Sequence, residues 1–377
     1  MSDAKAVPAA GGLRAPTPIR SREQTWLTIG LTLQAAAGLI GLSAVIVGSL
    51  ALGLWLAFSG GAGYFPLNIV LALAVLGTAA YLLTWLWQPP SEVSGVLVVR
   101  EDSPQLFKVL DRLSAAYRVG PIDRVMIGAD MNAAVVQLPE LGLWGRLRTT
   151  LVIGLPMLYS LNPQQVRAIL AHEMSHLAFQ RRTVGAWAAQ LRAWWHRVLA
   201  AIDDDASLLG RAVSAVLNTH ADAHLYRSVE LSHFEEFEAD MGAAGLVGAE
   251  MLAASLLELA MKERYLREEY WDAVMSQFEF PDDGEGILPF GTMGIGVSLG
   301  FQRSEQCGRM GELLELPHGL DLHPSLPERL IALRVGIHSP VRQGPSAAQL
   351  YLGDAAESLA CRLDRAWCMA IAPCCSR

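Results

Sequence analysis

The stretch Asn162-Pro163-Gln164-Gln165-Val166-Arg167-Ala168-Ile169-Leu170-Ala171-His172-Glu173-Met174-Ser175-His176 decides the reading of this chain. Asn162 can cap a helix, Pro163 suits its first position and Gln165 completes a capping box. Val166, Ile169, Leu170, Met174 and Leu177 recur at helical spacing, so the segment predicts one amphipathic helix. His172 and His176 are four apart and project from the same face. Both rings can reach one tetrahedral zinc ion, which needs bonds of about 2.0–2.1 Å. Glu173 then points near the open coordination position, where it can move a proton during hydrolysis.

Two histidines do not complete a catalytic zinc site, which takes three protein ligands and leaves a fourth position for water. Downstream lies Phe234-Glu235-Glu236-Phe237-Glu238-Ala239-Asp240. Glu236 and Asp240 share a helical face, so Glu236 can ligate while Asp240 accepts a hydrogen bond from a ligating histidine's far nitrogen. Glu235 and Glu238 are rivals for the ligand role, and spacing alone leaves the three open.

Outward from the motif, composition divides the chain. Of 377 residues, 52% are hydrophobic and 18% charged, below the usual quarter for a soluble protein. The apolar excess sits early. Thr25 to Phe58 and Leu67 to Trp87 carry no charge, and each exceeds the ~20 residues a spanning helix needs. Trp55, Tyr64 and Phe65 lie near one expected interface, and Tyr81, Trp85 and Trp87 near the other. Pro89–Pro90 ends the second run. Lys5, Arg14, Arg20 and Arg22 precede the first, whereas the loop Ser59–Pro66 has no charge. The positive-inside rule places the N-terminus and the remaining chain in the cytoplasm. The Ala/Pro/Gly-rich start reads as disordered.

Beyond Pro90 the pattern predicts a globular domain. Val96–Val99, Arg124–Ile127, Ala133–Val136 and Thr149–Ile153 read as strands, and Ser103–Val119 as a helix ended by Gly120–Pro121. Gly185–Ile202 reads as an amphipathic or interfacial helix, because Arg192, His196 and Arg197 make it a poor span. Ser207–Leu217, Tyr226–Val247 and Met251–Arg267 read as helices. Gly284–Gly300 reads as a long glycine-rich loop, and Asp203-Asp204-Asp205 as a solvated one. Cys307, Cys361, Cys368, Cys374 and Cys375 are odd in number and lie late in the chain, so they read as reduced thiols rather than a disulfide framework, and the spacing of the last four fits no zinc-ribbon pattern. A net charge of −8 with no basic stripe argues against nucleic acid as a partner.

In four stretches the chain resembles the HtpX and CAAX-prenyl-protease family of membrane-bound zinc metallopeptidases. These are Ser160–Pro163 running into the His172–His176 motif, Glu236–Asp240, Asn132-Ala133-Ala134, and His323-Pro324-Ser325 with Glu328 and Arg329. The resemblance implies one zinc ion per chain on His172, His176 and Glu236, with Glu173 as base and Asp240 behind a ligand. It implies that His323 or Arg329 stabilises the oxyanion. It implies that Asn132 and Ala133 bind a peptide substrate along a strand edge. The departures are Val135, Val136 and Gln137 where relatives often carry a glycine, and Glu235 where a basic residue is common. Relatives also often have further spanning helices.

The expected fold is α+β and mostly helical, with a two-helix transmembrane hairpin followed by a gluzincin-type domain bearing a small sheet. The expected units are a basic tail (1–24), two spanning helices (25–88), the zinc metallopeptidase domain (91–340) and a cysteine-containing tail (341–377). The expected function is endoproteolysis of membrane or misfolded proteins at a bacterial-type inner membrane, with the bilayer itself as a partner. Two rivals remain: a narrow processing protease and a catalytically silent zinc-stabilised scaffold.

Overall fold

A computed structural model describes residues 21–59, 65–88, 93–141, 144–183, 186–279, 288–304, 323–336 and 344–375. The basic tail up to residue 20, the loop around Tyr64, Pro89–Pro90 and Cys307 lie outside them.

Two apolar helices come first, α1 (Ser21–Phe58) and α2 (Phe65–Leu86). Both are long and apolar enough to cross a membrane, each with mean hydropathy 2.2 over its most apolar window. They pack on each other, while Ile40, Val47, Trp55, Phe58, Val70 and Leu73 stay exposed. A contiguous apolar exterior of this kind marks a surface made for something other than water. At 1.5 Å per residue α1 runs to about 57 Å, nearly twice a bilayer core. Its first turns lie against the rest of the protein, where the Gln24 side chain donates to Glu238 at 2.9 Å. The helix therefore starts inside what reads as the basic tail.

A four-stranded sheet follows: β1 (Val96–Val98), β2 (Arg124–Gly128), β3 (Ala133–Leu141) and β4 (Trp144–Gly154), in the order β1-β2-β4-β3. β2 and β4 are parallel, and the other pairings are antiparallel. The hairpin β3–β4 runs well past the expected Ala133–Val136, and β3 is an edge strand. Val125, Ile127, Leu151 and Ile153 bury one sheet face with Leu106, Leu110 and Leu113 of α3 (Pro104–Tyr117).

The short α4 (Leu155–Ser160) leads into α5 (Pro163–Thr183), which carries the paired histidines. Asn162 Oδ1 accepts from the backbone of Gln164 and Gln165, and Gln165 Oε1 accepts from Asn162 N at 3.0 Å. That is the reciprocal capping box the sequence predicts. Val166, Leu170, Ala171 and Met174 seat α5 in the main core beneath the sheet.

Then come α6 (Ala186–Asp203) and α7 (Leu208–Val247). The two helices expected at Ser207–Leu217 and Tyr226–Val247 are one helix of 40 residues. No proline or glycine interrupts the polar stretch Asn218–Leu225 between them, so nothing breaks the backbone ladder. The aromatic face of α6 is largely covered, with only Trp187 left exposed among its tryptophans. Trp194 and Trp195 are buried against Ala35, Leu82 and Trp85 of the apolar hairpin. The Trp194 ring nitrogen donates to Leu86 O at 3.2 Å.

The remaining helices are α8 (Ala249–Tyr265), α9 (Trp271–Glu279), α10 (Pro289–Ile295), α11 (Phe301–Arg303), α12 (Leu326–Leu333), α13 (Ala347–Tyr351) and α14 (Ala355–Cys375). Wider single turns at Leu266–Tyr270 and Gly296–Gly300 join α8 to α9 and α10 to α11. The part of the expected glycine loop that is described, from Leu288, is therefore helical. Its glycines serve contact: a Cβ on Gly296 would lie 2.6 Å from the Tyr270 ring, and one on Gly300 would strike the Tyr265 hydroxyl. The end of the chain is not a tail either. Ala347, Tyr351, Leu359 and Leu363 join the main core. Asp364 caps the first turn of α10, accepting from Phe290 N at 2.8 Å and Gly291 N at 3.1 Å. Cys361 and Cys368 are exposed free thiols on α14.

Candidate metal centre

α5 and α7 pack closely where the small Ala239 and Ala243 of α7 are fully buried between its acidic residues Glu236 and Asp240 and the next turn. That close approach brings Glu236 to the paired histidines. His172 Nε2 and His176 Nε2 lie 3.1 Å apart. Glu236 Oε2 is 3.4 Å from the first and its Oε1 is 3.3 Å from the second. All three donor atoms fall within 4.8 Å of one another. A tetrahedral ion with bonds of about 2.0–2.1 Å holds its ligand atoms about 3.3 Å apart. The spacing of this donor set therefore fits such an ion, and two imidazoles with one carboxylate are the ligand types it takes. Of the acids left open by sequence, Glu236 faces the rings, while Glu235 is 3.6 Å from Arg192 and Glu238 accepts from Gln24.

Behind the cluster is a buried charge network. His172 Nδ1 lies 2.9 Å from Asp240 Oδ1 and donates to it, which leaves Nε2 facing the space between His176 and Glu236. Asp240 is gripped by Arg329, whose Nε donates at 2.8 Å and Nη2 at 2.6 Å. Arg329 Nη1 is 3.5 Å from Glu236 Oε2. A second capping box sets that guanidinium: Ser325 N and Oγ both donate to Glu328, which starts α12 one turn before Arg329 points inward. His323 Nδ1 reaches Glu236 Oε1 at 3.0 Å, with 71% of its side chain exposed.

The electrostatics follow from these partners. Burial alone would raise the carboxyls of Glu236 and Asp240. For Glu236 the histidines and Arg329 outweigh it and hold the carboxyl well below the usual range, and for Asp240 Arg329 and His172 outweigh it and lower the carboxyl. Burial alone would lower His172, but its bonds to Asp240 and Glu236 raise it to about 9. Glu173 moves the other way. Burial raises its carboxyl, and the nearby histidines offset this only in part.

Glu173 Oε2 accepts from Val135 N at 3.2 Å, so the edge strand holds the glutamate beside the cluster. The sequence reading missed this partner. No sequence pattern marks it, because which N–H of β3 faces outward depends on its pairing with β4, where Asn132 O accepts from Gly154 N. The reading also missed that Arg329 is spent on Asp240, a tertiary pairing 89 residues apart that no local pattern marks. Asn132 is exposed just before β3, its carbonyl accepting from Gly154 N at 2.7 Å. Ala133 pairs with Ile153 two residues from the Glu173 contact.

Three comparisons with known proteins bear on this geometry. No curated protein matches the chain. The crystal structure of S. mikatae Ste24p resembles it at 15% identity and a TM-score of 0.34. That likeness covers 82% of this chain, which spans 66% of the length of Ste24p. The sequence model of peptidase family M48 matches residues 141–336, just over half of the chain and all of the elements that carry the cluster. The chain belongs to peptidase family M48, a family of metallopeptidases.

Proposed function

We propose that the protein is a membrane-anchored, zinc-dependent endopeptidase that cleaves membrane or misfolded proteins from the cytoplasmic side. The observation that carries this reading is the convergence of His172, His176 and Glu236 beside Glu173. Those three residues would hold one zinc ion, which when bound polarises the scissile carbonyl and brings the pKa of a water near 7.

The chain's own groups have separable tasks. Asp240 fixes the tautomer of His172, and Arg329 holds Asp240. Val135 N–H keeps Glu173 Oε2 in place, leaving Oε1 to take a proton from the attacking water and return it to the departing amine. A carboxylate whose pKa is raised by burial is a stronger base, which favours taking that proton from water. His323 is the better oxyanion donor of the two candidates. It is exposed beside Glu236, and its bond to Glu236 raises its pKa and so favours a donating imidazolium. Arg329 instead has two nitrogens committed to Asp240. Asn132 and Ala133 would receive an extended peptide along the edge of β3. The apolar exterior of α1 and α2 supports anchoring in a bilayer.

The test is metal content and cleavage of casein or a membrane protein by purified protein. Wild type should carry one zinc per chain and cleave. His172→Ala should lose the metal, and Glu173→Gln should keep it without cleaving. A wild type that binds zinc yet cleaves nothing would make the protein a scaffold.

A further inference from the structure

The edge of β3 is usable over only a short length. Val135↔Leu151 and Gln137↔Thr149 are cross-strand pairs. Val135 N donates to Glu173, and Gln137 O accepts from the side chain of Gln190 on α6. Backbone groups alternate sides along an antiparallel strand. Ala133, Val135, Gln137 and Pro139 therefore all turn their backbone groups to the free edge. Pro139 has no N–H to offer a paired strand, and the register shifts between Pro139 and Leu141. Gln137 O is already taken. With Val135 N held by Glu173, an added strand finds partners at Ala133, Val135 O and Gln137 N, and past Gln137 it meets a blocked carbonyl and then a residue with no N–H.

We propose that Gln190 is a specificity-determining residue that ends substrate pairing on the Gln137 side of the cleft. The inference rests on the peptidase reading, in which β3 receives the substrate. Its consequence is an asymmetric cleft. Chain extending past Ala133 meets the exposed Asn132, whereas chain extending past Gln137 must leave the sheet edge. α6 is held in this position by Trp194 and Trp195 on the apolar hairpin, so Gln190 is presented by a packed helix rather than a loop. Substrates with a turn or a chain end on that side fit the cleft best.

The experiment uses the full chain in detergent and two series of fluorescent extended peptides, lengthened one residue at a time from either end. Binding to metal-stripped protein is read by anisotropy, and cleavage by zinc-loaded protein is read from product masses. With wild type, lengthening one end should improve affinity while lengthening the other soon stops doing so. Gln190→Ala frees one carbonyl acceptor, worth about threefold to tenfold in affinity. That gain should appear only for peptides extended on the side that had stopped, with product lengths shifting the same way. Gln190→Glu should remove the donor and add repulsion for the carbonyl, yet leave short peptides unaffected. Equal length dependence at both ends in wild type overturns the proposal, and so does a Gln190→Ala profile superimposed on wild type. Failure of zinc-loaded wild type to cleave any peptide speaks against the peptidase reading, and the metal-free binding profile still decides on Gln190.

Discussion

The metal centre and the apolar hairpin are held together by opposite physics. At the centre, His172, Glu236, Asp240 and Arg329 are buried charges or potential charges, each acceptable only because the others are there. Around the hairpin, Ala35, Leu82, Trp85, Trp194 and Trp195 exclude water chiefly by shape, with the Trp194 ring nitrogen bonded to Leu86 O and the Trp195 ring nitrogen buried without a partner among the described residues. Remove one partner from the first region and a buried charge is stranded. Remove one from the second and a gap is left. The first region is specified by identity and the second by size and shape.

The sharpest separation should come from Glu173→Gln. It keeps the volume and the hydrogen bond from Val135 N, so metal content and melting temperature should match wild type. Peptidase activity should fall about 10²–10⁴-fold, the usual contribution of a positioned base. Equal activity in the variant would remove Glu173 from the mechanism.

Next is Arg329→Ala. Stranding Asp240 costs about 3–5 kcal/mol, as for other broken buried pairs. Zinc affinity, read by chelator competition, should drop about 10–100-fold with loss of the support behind His172. Arg329→Lys should rescue neither quantity, since a single ammonium cannot replace the two-pronged grip on Asp240. Full rescue by lysine would show that only charge matters there.

Gly38→Ala tests the other region. A Cβ at Gly38 would sit 2.4 Å from the Trp195 ring. Overpacking of this kind costs about 1–3 kcal/mol. The melting temperature should fall while zinc stoichiometry stays at one. Loss of metal in this variant would mean the two regions are not independent.

The smallest effect is a pH dependence carried by a buried histidine in the middle of α7. His224 is 1% exposed, and its Nδ1 has no partner among the described residues. Burial, with His196, Arg192 and Arg227 nearby, pushes it down from 6.5 to about 4. The unfolded chain therefore takes a proton near pH 6.5 that the folded chain refuses until about pH 4. Stability should fall as pH drops through that window and be unaffected above it. Melting curves of wild type and His224→Gln between pH 7 and 4.5 should diverge toward acid. Parallel curves would show that His224 titrates normally.

Much of both regions is legible in the residues. The zinc-helix cap, the histidine spacing and the charge-free runs are local patterns, and each reads off a window of a few turns. The glycine stretch after Leu288 misleads because glycine is weak as a helix former, yet Gly296 and Gly300 are there to admit tyrosines from α8 and the turn after it. The cysteine-bearing end looks like a tail because its apolar positions have meaning only against α10 and the sheet. α7 looks like two helices because its polar middle has no hydrophobic stripe, although nothing in it breaks a helix.

By itself, then, the sequence determined which elements exist around the motif and that two histidines and a glutamate share one helix, because those are matters of backbone geometry over a few residues. It also determined which segments shun water. Only the tertiary structure decided that Glu236 rather than Glu235 or Glu238 meets the rings, that Arg329 holds Asp240, and that Gln190 closes an edge of the sheet. Those choices depend on how helices far apart in the chain rotate and cross, and packing over the whole core sets that angle.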